Sequence, residues 1–146
     1  MFNQYILEEI SAAFIGMVIG DALGAAVEFM TASEIAAKYG TFRDLIGGDW
    51  LHLKPGQMTD DTETALCIGP AIVKNHGWSL ETVADNFAVW LKSRPVDCGD
   101  TCYKGIRAYM LKRQIESLPN EWDAGNGAAM RVLPAALFSF PDGVAK

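Results

Sequence analysis

Gln57-Met58-Thr59-Asp60-Asp61-Thr62-Glu63-Thr64-Ala65-Leu66-Cys67-Ile68 is the stretch on which the reading of the chain turns. Lys54-Pro55-Gly56 before it is turn material, and Ala65, Leu66 and Ile68 begin an apolar helical pattern. Thr59 therefore sits at a helix start, with Asp60 and Asp61 in the first turn. Exposed N–H groups and the positive end of the helix dipole favour carboxylates there. That accounts for the acids as caps. Three adjacent oxygen-bearing side chains also form part of a hard-cation site suited to Mg²⁺ or Mn²⁺. The stretch by itself leaves both readings open.

Downstream, the helix runs from Asp60 toward Asn75, with Gly77 as its stop. Pro70 lies inside that span and predicts a kink, because it removes one hydrogen bond and crowds the carbonyl of Leu66. Ser79 caps a further helix with Val83, Phe87, Trp90 and Leu91 on one apolar stripe, ending before Pro95. The loop Arg94-Pro95-Val96-Asp97-Cys98-Gly99-Asp100 leads into a helix from about Thr101 to Gln114, broken by Ser117-Leu118-Pro119-Asn120. Gly125-Asn126-Gly127 then reads either as a tight turn or as a nest of backbone N–H groups suited to an anion. An apolar helix follows from Ala128, with Pro134 as an interruption.

Upstream, Ile6, Ile10, Phe14 and Met17 recur at helical spacing, and Gly16, Gly20 and Gly24 form a small-residue stripe that would admit a close backbone. Asp21 falls near the apolar stripe and needs a partner there. Glu28 ends the segment on roughly the same face. Thr31-Ala32-Ser33-Glu34 is a capping box opening a helix that should stop at Gly40. No stretch patterns as a strand, so the expected class is all-α in a single domain.

The composition is that of a globular chain: 146 residues, 50% hydrophobic and 21% charged. A formal charge of −6 argues against a nucleic-acid partner, which needs clustered Lys and Arg. Cys67, Cys98 and Cys102 are an odd set without a C-x-x-C pair, which favours a reduced, cytoplasmic protein. The apolar run Ile10 to Gly20 is preceded by Glu8 and Glu9 rather than by Lys or Arg, and Asp21 and Glu28 follow it. It reads as a buried core helix rather than a signal peptide or a membrane span.

Four motifs in order carry a resemblance: Gly20-Asp21-Ala22-Leu23-Gly24, Val27-Glu28-Phe29, Thr59-Asp60-Asp61-Thr62 and Gly125-Asn126-Gly127-Ala128-Ala129-Met130-Arg131. Together they resemble the ADP-ribosylglycohydrolase family, over nearly the whole chain from about Ile6 to Phe138. The wording of Met58 to Cys67 and of Arg94 to Cys102 is similar to the branch acting on nitrogenase iron protein. The resemblance implies an orthogonal all-α bundle around a two-metal Mg²⁺ or Mn²⁺ centre. It makes Thr59, Asp60 and Asp61 metal ligands, and Asp97 and Glu28 the catalytic candidates. Gly99, Asp100, Asp123, Gly125, Asn126 and Gly127 become candidates for holding ADP-ribose. The implied reaction is hydrolysis of the N-glycosidic bond between ADP-ribose and a protein arginine.

The sequence departs from the family pattern after Arg131. No Asp-x-Asp-Thr cluster follows to complete the metal site, and His52 and His76 match no family position. Three ligands from one helix start cannot surround two cations that each take about six oxygens. The chain is expected to correspond to the N-terminal portion of the enzyme, with uncovered apolar faces and a tendency to self-associate. The alternative is a non-catalytic, ADP-ribose-binding or regulatory fragment. A purely structural helical domain would leave Asp21, Glu28, Asp60 and Asp61 unexplained.

Overall fold

A computed structural model of the chain describes residues 4–117, 120, 121, 123 and 125–139. Among these residues there are six helices and no strand: α1 (Gln4–Gly24), α2 (Ala32–Tyr39), α3 (Asp60–Asn75), α4 (Leu80–Lys92), α5 (Asp100–Lys112) and α6 (Val132–Phe138). The all-α expectation holds. Residues group into two compact units, Met1–Thr59 and Asp60–Lys146.

In the first unit, α1 ends at Gly24 and the chain turns through residues 25–29, so Glu28 lies beyond the helix. α2 follows the sequence reading closely. Thr31 Oγ1 accepts from the Glu34 N–H at 3.3 Å, and the Glu34 carboxylate accepts from the Thr31 N–H at 2.7 Å. The bond from the Thr31 N–H, and a second from the Thr31 hydroxyl at 2.7 Å, hold the Glu34 carboxyl below its ordinary range. Gly40 ends the helix at φ 64°, a conformation costly for a residue with a Cβ. Residues 41–58 then fold back against the end of α1. A Cβ on Gly48 would stand 2.8 Å from the Ala25 carbonyl oxygen, and one on Gly47, at φ 82°, would overlap the Leu53 carbonyl. Glycine is what lets these backbones meet. The buried apolar side chains of this unit are small in number and size: Ala22, Ala26 and Leu53.

α1 itself departs from the expected buried core helix. Its predicted stripe, Ile6, Ile10, Phe14 and Met17, is only half-buried, and Ala22 is its one fully buried residue. Ile15 is 60% exposed and Ile19 44%. No described atom outside the helix stands within 4 Å of a Cβ built on Gly16, Gly20 or Gly24. Periodicity identified the face. That face is left half-buried.

The second unit is built by packing. α3 lies against α4 and α6, and α4 against α5. Ile68, Ala71 and Val83 form the core, with Ile72 and Phe87 packed on it. Trp90 is buried as the α4 stripe predicts, and Ile106 and Tyr109 of α5 are buried as well. The Trp90 indole N–H donates to Glu63 at 2.6 Å, and the Asn86 amide donates to the Cys67 carbonyl at 2.8 Å, tying α3 to α4. Ser79 caps α4 by accepting from the Thr82 N–H at 3.2 Å. α3 continues through Pro70 as one helix. α5 ends at Lys112, with Arg113 in the left-handed region as its cap. Pro134 is not an interruption: it falls in the first turn of α6, where a missing N–H costs little. Leu118 and Pro119 of the predicted break, and Trp122 and Ala124 beside the Gly-Asn-Gly motif, lie outside the described residues.

Candidate active site

Each unit holds one part of the predicted site residues. In the first, Asp21 stands in the last turn of α1 and Thr59 at the unit's final position. Thr59 is buried, at 6% exposure. Its N–H donates to Asp21 Oδ2 at 2.9 Å, and its hydroxyl donates to Asp21 Oδ1 at 2.7 Å. The acid on the apolar stripe thus finds its partner 38 residues on, and the hydroxyl expected to cap the next helix gives its proton to a carboxylate. Glu28 belongs to this unit too and is exposed in the turn after α1.

In the second unit, Asp60 and Asp61 open α3, and the start of α5 draws in several of the others. Asp60, the first residue of α3, is buried at 6% exposure, and its Oδ2 accepts from the Gly99 N–H at 3.1 Å. A Cβ on Gly99 would stand 3.9 Å from that same oxygen. The Thr64 hydroxyl donates to the Asp60 carbonyl at 2.7 Å, securing the first turn of α3. Asp97 is half-buried and accepts from the Cys98 N–H at 2.7 Å, which turns its carboxylate along the loop. Lys104 pairs with Asp100 at 2.6 Å and lies 3.9 Å from Asp123, so one ammonium stands between two predicted substrate-binding acids. The Asp100 carboxylate raises the Lys104 pKa.

The Gly-Asn-Gly motif meets the same helix start. A Cβ on Gly125 would lie 3.4 Å from Thr101 Oγ1, and one on Gly127 would lie 2.6 Å from Cys102 Sγ. Gly127 does not use positive φ; it is required by close packing. The Asn126 carbonyl accepts from the N–H groups of Ala129 at 2.8 Å and Met130 at 3.2 Å, so the motif is a turn leading to α6. Arg131 donates to Cys102 Sγ at 3.4 Å, and its guanidinium lies 5.0 Å from the centre of the Phe87 ring. Burial, with the nearby Asp60 charge, pushes the Cys98 thiol up to about 12.

Asp60, Gly99, Asp100, Gly125 and Gly127 are therefore grouped about the first turn of α5, with Asp97 in the loop before it and Asp123 near Lys104. A cavity of about 540 Å³ in this unit is lined by Ile68, Val83, Phe87, Ile106, Gly125 and Gly127 among others, and by none of the predicted acids. It is an apolar space beside the acidic group rather than the group's own cleft. Lys104 and Arg131 were given no role by sequence reasoning. The four-residue spacing of Asp100 and Lys104 signals the first; Arg131 stands in a quoted motif but its contacts are tertiary.

The carboxylates can accept hydrogen bonds from sugar hydroxyls or from a guanidinium, and the glycines leave backbone accessible between them. Among the described residues no group of three or more His, Cys, Asp or Glu is placed to hold a metal ion. The donor set suits a hard cation in kind: two carboxylates, and a threonine oxygen whose proton is directed away.

The ADP-ribosylglycohydrolase family model matches residues 3–146. The chain belongs to this family. It is 55% identical over 125 residues to the ADP-ribosyl-(dinitrogen reductase) glycohydrolase of Rhodospirillum rubrum, covering 86% of this chain and 42% of that protein. It is 28% identical over 141 residues to the ADP-ribosylarginine hydrolase Tri1 of Serratia proteamaculans, covering 90% of this chain and 37% of that one. Among solved structures, an ADP-ribosylglycohydrolase-related protein complex superposes with a TM-score of 0.72 at 30% identity, over 88% of this chain and 41% of that chain. The chain thus spans about two fifths of the length of these ADP-ribosylglycohydrolase relatives. No described helix is long and apolar enough to cross a membrane.

Proposed function

We propose that this chain serves the metal-dependent hydrolysis of the N-glycosidic bond between ADP-ribose and a protein arginine. The observation that carries this reading is the 55% identity to the R. rubrum glycohydrolase. By the same likeness, the arginine belongs to nitrogenase iron protein, and removal of ADP-ribose restores it. Water adds across the ribosyl C–N bond, giving free ADP-ribose and an unmodified arginine. Three unpaired cysteines support a cytoplasmic setting.

In this reading Thr59, Asp60 and Asp61 hold Mg²⁺ or Mn²⁺, which when bound orients ribose hydroxyls and activates water. Breaking the bond develops positive charge on the sugar, which the carboxylates of Asp97 and Glu28 stabilise. Asp100 and Asp123 accept hydrogen bonds from the ribose, Gly99 lines the same pocket with its N–H held by Asp60, and the backbone of Gly125, Asn126 and Gly127 receives the diphosphate end. The bond from Gly99 N–H to Asp60 supports this division of labour, since it fixes the Asp97 loop to the first residue of α3.

The test is Mn²⁺-dependent release of ADP-ribose from an ADP-ribosylated arginine substrate. Release abolished by Asp60→Ala supports the reading. A second reading is a non-catalytic ADP-ribose-binding or regulatory protein, in which the Asp60 carboxylate serves the Gly99 N–H rather than a cation. Saturable ADP-ribose binding with no turnover at any Mn²⁺ concentration would establish it over the first.

A further inference from the structure

We infer that Asp21 is a positioning residue that holds Thr59 as an oriented, acceptor-only oxygen for the divalent cation, an inference that rests on the metal reading above. Both carboxylate oxygens of Asp21 accept from one residue: Oδ2 from the Thr59 N–H at 2.9 Å and Oδ1 from its hydroxyl at 2.7 Å. The two bonds fix different degrees of freedom. The first sets the backbone at Thr59, and the second sets its side-chain rotamer. A hydroxyl has one proton and two lone pairs. With the proton committed to Asp21, the oxygen has only lone pairs to present to anything else. A hard cation requires that state, and a freely rotating hydroxyl adopts it part of the time only. The charge on Asp21 also makes the threonine oxygen a better donor of electron density, as carboxylates behind metal ligands do. Burial of Thr59 keeps water from competing for the same proton.

A simple tie between α1 and the end of the 41–58 loop would use the same two bonds, so stability alone does not separate the two roles. Cation affinity does. Mn²⁺ binding is measured by titration calorimetry and by loss of the free-ion paramagnetic signal on the whole chain and on D21N, T59V, T59S and D21N/T59V, with circular dichroism confirming the fold of each. Asn at position 21 offers one acceptor and one donor against two donors, so it breaks the arrangement without changing its size. D21N should weaken Mn²⁺ binding about tenfold or more. T59V should do the same, T59S should retain wild-type affinity, and the double variant should bind no worse than T59V, because Asp21 acts through Thr59.

Folded D21N binding Mn²⁺ as tightly as the wild type would overturn the inference and leave metal binding standing. If D21N does not fold, T59V, which keeps the side-chain shape, decides alone: unchanged affinity overturns the role of Thr59 and with it that of Asp21. A wild-type chain that binds no Mn²⁺ at tens of millimolar would instead overturn the metal reading itself, and both would fall.

Discussion

The two units of this chain hold themselves together by different means. The first, Met1–Thr59, buries Ala22, Ala26 and Leu53 and relies on polar ties: the Thr31 capping box, the Lys38–Asp49 pair at 2.8 Å, and the double bond from Thr59 to Asp21. The second, Asp60–Lys146, buries Ile68, Val83, Trp90, Ile106 and Tyr109 across three helices. Yet the first carries the longer apolar helix. Hydrophobic content therefore says little about where a core forms; what matters is whether an element packs against the face. α3 and α4 meet partners, while much of α1 stands open.

That contrast can be tested by substitution. Ile68→Ala removes a core side chain and should cost about 2–5 kcal/mol in urea unfolding. Ile15→Ala, at a site 60% exposed, should stay within about 0.5 kcal/mol. An equal cost at both would mean that the α1 face is covered in solution, by self-association or otherwise. The glycines sharpen the same point within the first unit. Gly47→Ala meets the Leu53 carbonyl and a left-handed backbone, and should cost about 2–4 kcal/mol by thermal unfolding.

A smaller effect is expected where polar bonds carry the structure of the second unit. Asp60→Ala leaves the Gly99 N–H without its acceptor and should cost about 1–3 kcal/mol, with faster hydrogen exchange at the Gly99 amide. The half-buried thiols give a pH signature. Cys98 rises from 9.0 to about 12 in the folded chain, and Cys67 to about 11, first through burial and then through Asp60 and Glu63. Their stabilising contribution is complete below pH 9.0, where both states keep the proton, and is lost as pH rises from there through the folded values. Unfolding midpoints should fall above that pH, and Cys98→Ser should reduce the slope. The smallest change is a gain. Gly20→Ala, with open space around it, should stabilise α1 by about 0.5–1 kcal/mol.

Local chemistry was legible in the sequence, and tertiary partnership was not. Thr31 with Glu34, Ser79, and Gly40 announce helix ends through bonds spanning four residues or fewer, so their positions were readable to within a residue or so. The stripe Val83, Phe87 and Trp90 was readable because a helix face repeats. Pro134 was misread because its cost depends on where the helix begins, and that start at Val132 is set by the turn behind it. Asp21 signalled a missing partner but not Thr59, which lies 38 residues away. The acids of the candidate site were picked out by motif. The contact of Asp60 with Gly99 at the start of α5, and Lys104 between Asp100 and Asp123, follow from the path of the chain, which spacing does not encode.

The bond between Asp21 and Thr59 also bears on the order in which the chain takes shape. It closes a loop across 38 residues, and closure entropy grows only slowly with such length, so the link is affordable once formed. It is late, however. During synthesis α1 and α2 leave the ribosome with their local bonds ready, but Asp21 has no Thr59 to grip until the loop between them has emerged. A chain released before that point would carry an apolar helix with its end unlatched, and chaperone capture should concentrate in that interval.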